Sequence, residues 1–314
     1  MRKKIYLDGM ILSASRRTDI PSFYAPWFLN RIKEGFLYTR NPMNYHQVSR
    51  ISLSPEVVDC IVFWTKDALP MMPYLKELKD YLYYFQYTIT GYKKDIEPGV
   101  PDKLTVLDNF RRLSDVIGPS QNIFRYDPVL LTGTYTVEYH VECFEKYASL
   151  LEGYTKRCVF SFLDLYGKTR RNTRGLGLRP FTQDAKMTLA EAFSTIAGKH
   201  HMELCTCSEP EDYSKYHITP ARCIDAALIA ELKGRGIKAT KDRNQRKECG
   251  CCQSIDIGMY DTCPHGCKYC YANSTGFISR CASSSPFLSG EKEEGDVIKE
   301  REMKSLVEGQ ALLF

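Results

Sequence analysis

From residue 10 to about residue 235, short β-rich runs alternate with amphipathic helical stretches, a rhythm characteristic of parallel α/β architectures. The runs are MILSAS (10–15), VDCIVFWT (58–65), YYFQYTIT (83–90), NIFRYD (122–127), RCVFSFLDL (157–165) and MELCTCS (202–208). They are mostly apolar rather than alternating, as in strands covered by helices on both faces. Between them, DKLTVLDNFRRLSDVIG carries Leu104, Leu107, Phe110, Leu113 and Ile117 at helical spacing before Gly118 and Pro119 stop it. Thr136 to Leu151 and Thr182 to Ala197 read the same way, each opening on a threonine able to cap the first turn. Six such units predict a barrel of the TIM type, complete or partial. No Gly-rich first turn favours a doubly wound dinucleotide fold.

The chain has 314 residues and 43% apolar content, enough for one large α/β domain or two modest ones. No run of eighteen apolar residues occurs, and MRKKIYLDGMILSASRR offers only a Met-Ile-Leu triplet where a signal peptide needs a longer apolar core. The expectation is a soluble, cytoplasmic protein with no membrane partner. A net charge of +5 permits an anionic substrate or nucleic acid without requiring either.

Each expected strand ends in polar residues, and active sites of parallel α/β folds gather at the carboxyl ends of strands. The first brings Ser13, Ser15, Arg16, Arg17, Thr18 and Asp19. Later ones bring Thr65, Lys66 and Asp67, then Thr90, Arg125 with Asp127, Asp164 and Glu209. These groups should share one rim, although strand ends are also polar simply because they meet water.

Only Cys60, Cys143 and Cys158 of the thirteen cysteines precede residue 200, and such concentration in a reduced compartment points to metal rather than disulfides. Cys263-Pro-His-Gly-Cys267-Lys-Tyr-Cys270 spaces three thiolates so that a tight loop can hold three corners of a 4Fe–4S cluster and leave one iron open. Zinc wants four ligands and fits this spacing only if His265 or a distant cysteine completes the set.

The Cys-x3-Cys-x2-Cys motif, with Tyr269 as the aromatic before its last cysteine, resembles the defining motif of the radical S-adenosylmethionine superfamily. That resemblance implies a partial barrel, an open-iron cluster chelated by S-adenosylmethionine, and an electron donor such as flavodoxin or ferredoxin. In the superfamily the motif follows the first strand, whereas here it comes late. A circularly permuted barrel would account for this, with SIDIGMYD as the displaced first strand. Residues 1–240 then form the β/α barrel, and 241–314 form a cysteine-rich segment and C-terminal helix that complete it. Under this reading MILSASRRTD supplies cofactor ligands: Ser13, Ser15 and Asp19, with Arg16, Arg17, Arg125 and Asp127 on the same rim. The typical Gly-Gly-Glu of the superfamily is missing from this sequence.

The whole chain is also similar to the family called domain of unknown function 1848. The likeness runs from SASRRTDIP, NP and LSPEVVDCIVFWTK through QYTITGY and FRYDPV to CGC and SIDIGMYDTCPHGCKYCYAN. No established reaction comes with that family.

A second cysteine group, Cys207, Cys223, Cys249 and Cys251, suits a closed auxiliary 4Fe–4S cluster or a structural zinc. Cys205 and Cys252 are spare and, like several tyrosines, are candidate hydrogen-atom donors. The loop YGKTRRNTRGLGLRPF and the run KDRNQR could clamp phosphate or carboxylate, or lie solvated. His200 and His201 read as a helix end rather than metal ligands. The functional expectation is a radical S-adenosylmethionine-type enzyme of unknown substrate. Its rivals are a non-catalytic iron–sulfur or zinc module, and a nucleic-acid modification or repair enzyme by analogy with spore photoproduct lyase.

Overall fold

The apolar runs become the strands of one parallel sheet. The computed structural model describes residues 10–274, 281–301, 303 and 305–307. In chain order the elements are β1 (Met10–Ala14), α1 (Ile20–Phe23), α2 (Ala25–Glu34), β2 (Phe36–Asn41), β3 (Asn44–Ser52), β4 (Val58–Thr65), β5 (Tyr83–Thr88), α3 (Lys103–Ile117) and β6 (Asn122–Val129). Then follow α4 (Val137–Leu151), β7 (Arg157–Phe162), α5 (Gly167–Asn172), α6 (Gln183–Lys199), β8 (Glu203–Thr206), β9 (Thr219–Pro220), α7 (Ala226–Lys233), β10 (Ile255–Asp256) and β11 (Val297–Glu300).

Eight strands make the main sheet in the order β10-β1-β4-β5-β6-β7-β8-β9, and every pairing in it is parallel. Strands buried on both faces explain the unbroken apolar runs. One face packs Phe63, Phe85, Phe124 and Phe160 against Phe28, Phe110, Phe144 and Phe193 of the helices. The other packs Ile11, Cys60, Val62, Tyr84, Ile123 and Val159 against Ile224, Leu228 and Ile229. The helix starts follow the caps expected of them: Thr136 Oγ1 accepts from Tyr139 N, and Thr182 Oγ1 accepts from Ala185 N. Asp102 caps α3, whose buried stripe is Val106, Leu107, Phe110 and Leu113, while Leu104 is 58% exposed.

Two expectations need correction, and one feature was not foreseen. No sheet among the described residues closes into a barrel, so the observed architecture is an open parallel sheet rather than a complete TIM barrel. Both edge strands, β9 and β10, are two residues long, too short to form the ladder that closure requires. A second, three-stranded sheet, β11-β3-β2, was not anticipated; its antiparallel hairpin turns at Asn41-Pro42-Met43-Asn44. The charged tail after Gly290 is not helical where described. Val297 to Glu300 instead form β11, parallel to β3, where β-branched Val297 and Ile298 suit an extended edge and Arg50 pairs with Glu300. Residues 308–314 lie outside the described residues.

Candidate metal and cofactor site

The short strand β10 lies beside β1, with Ser13 opposite Asp256. The Asp256 carboxylate accepts from Ser13 Oγ (2.7 Å), Ser15 Oγ (2.6 Å), Arg16 N (2.9 Å) and Gly258 N (3.0 Å). A Cβ on Gly258 would sit 2.0 Å from Ser15 Oγ, so only glycine lets the chain turn this close to β1. Asp256 thus ties the cysteine loop's strand to the sheet. Its only sequence signal was an acidic residue in the run SIDIGMY.

The loop that follows is held at several points. Asp19 accepts from Ser22 N, Lys66 N (2.7 Å) and His265 Nε2 (2.9 Å). Gly99 N donates to His265 O, and a Cβ on Gly99 would come within 2.6 Å of Pro264 O. Lys268 N donates to Ile96 O, Asn273 Nδ2 to Cys263 O, and Tyr24 OH to Thr262 O. Behind the loop lies a buried charge cluster that the sequence reading did not assemble. Glu97, 1% exposed, accepts from Lys66, Lys103, Thr90 and Tyr269. Burial opposes its charge, but Lys66 and Lys103 outweigh that and lower its pKa to about 2.

Cys263, Cys267 and Cys270 line a cavity of about 580 Å³ at the carboxyl ends of the strands. Burial pushes the Cys263 thiol up to about 12 and raises Cys267 and Cys270 as well, with the Lys66 ammonium acting in the opposite sense on the last two. The second cysteine group faces the same cavity. Cys207 follows β8, Cys223 precedes α7, and their sulfurs are 3.4 Å apart. Cys251 contacts Cys223 and Cys249, making a continuous row of four sulfurs. Contact with Cys251 lowers Cys249 to about 6. The buried Arg125 guanidinium donates to Cys223 Sγ (3.0 Å), Gln86 Oε1 and Asp127.

The expected site residues therefore gather with one clear exception. Ser15, Arg16, Arg17, Asp19, Arg125, Asp127 and all seven cysteines share the cavity wall. Ser13 does not, because its hydroxyl is buried against Asp256. Ser15 also donates to Asp256, and Asp19 is committed to the loop, so these three act as structural ties rather than free ligands. Arg17 lies near Asp256 and over the Tyr260 ring. The spare thiols turn elsewhere: Cys205 contacts Thr219, and Cys252 donates to Ile224 O. His200 caps the end of α6 between Glu145 and Glu152.

Among the described residues, no three His, Cys, Asp or Glu side chains stand in the arrangement of a preformed metal site. The donor chemistry still fits iron–sulfur ligation: two thiol groups line one cavity beside buried cations. Three buried polar atoms without a hydrogen-bond partner among the described residues also belong to residues of this wall: Arg16 Nη2, Thr18 Oγ1 and Asn273 Oδ1. Buried groups left unmet call for an explanation, and a bound polar ligand is one of those open to them.

A family model described as domain of unknown function (DUF1848) matches residues 11–272. The chain belongs to this family. The DUF1848 match covers both cysteine groups, Asp256 and every residue of the cavity wall except Asn273. No curated protein matches the chain.

Proposed function

We propose that this chain is a radical S-adenosylmethionine-type enzyme in which Cys263, Cys267 and Cys270 hold a 4Fe–4S cluster with one open iron. The observation that carries the proposal is the single cavity that the three thiols share with Arg16, Thr18 and Asn273, each of which holds a buried side-chain polar atom with no hydrogen-bond partner among the described residues. Such a set matches the amino and carboxylate groups of S-adenosylmethionine. When bound, the cluster supplies the electron for reductive cleavage of the sulfonium.

The chain's own residues have defined tasks under this reading. Asp19, Gly99 and Asp256 fix the loop, Lys66 offsets thiolate charge at Cys267, and Tyr269 anchors to Glu97. The fold is then a partial, circularly permuted β/α barrel: β10 with its cysteine loop occupies the place of a first unit beside β1. A flavodoxin or ferredoxin would supply electrons.

Cys207, Cys223, Cys249 and Cys251 hold an auxiliary 4Fe–4S cluster in this proposal. One observation favours zinc there instead: the 3.4 Å between the sulfurs of Cys207 and Cys223 is near the about 3.8 Å edge of a tetrahedral zinc thiolate site. Metal analysis of anaerobically prepared protein decides between eight irons and four irons with one zinc. For the enzyme itself, reconstituted protein is given dithionite and S-adenosylmethionine and assayed for 5′-deoxyadenosine. Absence of that product, or its undiminished formation by Cys267→Ala, refutes the proposal.

A further inference from the structure

A second hollow of about 420 Å³ opens beside the mouth of the cysteine cavity, lined by residues 240–243 and 245–247. Gln245 and Arg246 belong to the walls of both, so the two spaces adjoin. The small hollow carries four cations, Lys241, Arg243, Arg246 and Lys247, against a single acid, Asp242. That acid is turned inward: it is buried, and its carboxylate accepts from Asn244 N and Gln245 Nε2. Lys241 Nζ is held on Lys247 O (2.7 Å), and Arg246 pairs with Asp164 on the loop after β7. Arg243 and Lys247 are exposed, and neither side chain has an ion pair among the described residues.

The cavity mouth carries exposed aromatics. Tyr166 and Tyr271, 45% and 44% exposed, line the main cavity with ring centroids 6.2 Å apart. A cationic hollow suits a phosphate, and a neighbouring aromatic rim suits a flat base, the combination that nucleotide-binding grooves use. The main cavity then receives the reacting part of the ligand.

We propose that the hollow at 240–247 is a phosphate subsite and that the substrate is a nucleotide unit, free or within a single strand, whose base passes Tyr166 and Tyr271 into the cavity. The inference rests on the cavity being the reaction site. Its failure is separable, because phosphate recognition can be measured without any turnover.

The test uses the anaerobic, metal-loaded chain. Short single-stranded DNA and RNA oligonucleotides are titrated by fluorescence anisotropy, and adenosine monophosphate and inorganic phosphate by calorimetry. At least one nucleotide probe should bind, and Arg243→Ala and Lys247→Ala should each weaken it about tenfold. Tyr166→Ala should weaken nucleotides but not inorganic phosphate. Iron content and thermal midpoint verify that each variant is folded. Strand binding that weakens steeply with salt assigns a nucleic acid, and tight binding of the monophosphate alone assigns a free nucleotide. Binding of inorganic phosphate alone, no binding of any probe, or affinities unchanged in folded Arg243→Ala and Lys247→Ala variants overturns the inference. Should nucleotides bind while 5′-deoxyadenosine is never formed, the reading of the cavity fails and the phosphate subsite stands.

Discussion

Replacing Glu97 with glutamine should destabilise the protein by about 3 kcal/mol at neutral pH and remove part of its acid sensitivity. Two ammonium groups converge on the Glu97 carboxylate, and neither is more than a fifth exposed. Holding the Glu97 pKa at about 2, against an ordinary 4.5, corresponds to about 3 kcal/mol of folding free energy. Removing one partner of a buried ion pair, which leaves the other uncompensated, costs about 3–5 kcal/mol, in agreement. The carboxyl is depressed, so its contribution is complete above the unfolded-state pKa and disappears as pH falls from about 5 towards 2. Urea unfolding of the metal-free chain, followed by far-UV circular dichroism, reads both effects. The midpoint at pH 7 should fall by about 1 M in Glu97→Gln. The difference between variant and wild type should shrink steadily between pH 5 and pH 3. Equal midpoints at pH 7, or a difference independent of pH, would refute the claim that this cluster holds the cysteine loop through charge.

Two further outcomes follow from the loop's attachments and a third from a buried carboxyl beside β7. Gly99→Ala must displace the backbone at Pro264 and His265, so iron bound by the 263–270 loop should fall several-fold while the second cysteine group keeps its metal; metal analysis of the two variants Gly99→Ala and Cys251→Ala separates the sites. Asp256→Ala leaves the buried Ser13 and Ser15 hydroxyls and Arg16 N without an acceptor, and at about 1–3 kcal/mol for each unmet group the thermal midpoint should drop markedly. Glu209, raised to about 8 by burial, is protonated in the folded chain at neutral pH; its contribution is present below the unfolded-state pKa and lost as pH rises through about 8. Glu209→Gln should therefore lessen the loss of thermal midpoint between pH 5 and pH 9, and an unchanged profile would count against that assignment.

The strands β1, β4, β5, β6, β7 and β8 were legible because they are buried and so read as apolar runs, and the helices because Thr136 and Thr182 mark their starts. The hairpin of β2 and β3 was missed although Asn41-Pro42-Met43-Asn44 is a turn signal; its strands have only one buried face and mix Tyr, Arg, Gln and Ser. The tail after Gly290 was misread because charge composition favours helix, whereas its extended form depends on the free edge of β3, a tertiary fact. The cysteines were assigned to two groups from spacing, and both groups line one cavity. What spacing could not provide was the partner of each polar residue. Ser13, Ser15 and Asp19 looked like ligands because strand ends face the rim, yet Asp256, more than two hundred residues away, takes both serine hydroxyls, and Asp19 accepts from Ser22 N, Lys66 N and the equally distant His265.

Long-range pairing also explains the charge arrangement in the cavity. Burial raises the thiols at 263, 267 and 270 and so disfavours their thiolates. Metal binding requires thiolates and releases their protons, and positive charge close by favours the thiolate form. Lys66 lies beside Cys267, Arg125 donates to Cys223, and Arg16 lies near Cys251. Lys66 and Arg16 lie just past the ends of β4 and β1 and Arg125 lies within β6, and none is adjacent in sequence to the cysteine that it neighbours. The parallel sheet therefore does more than present a rim: it delivers cations from the N-terminal half of the chain to thiols of the C-terminal half. A sheet edge built late in the sequence, at β10, is what brings the triad within reach of the first of them.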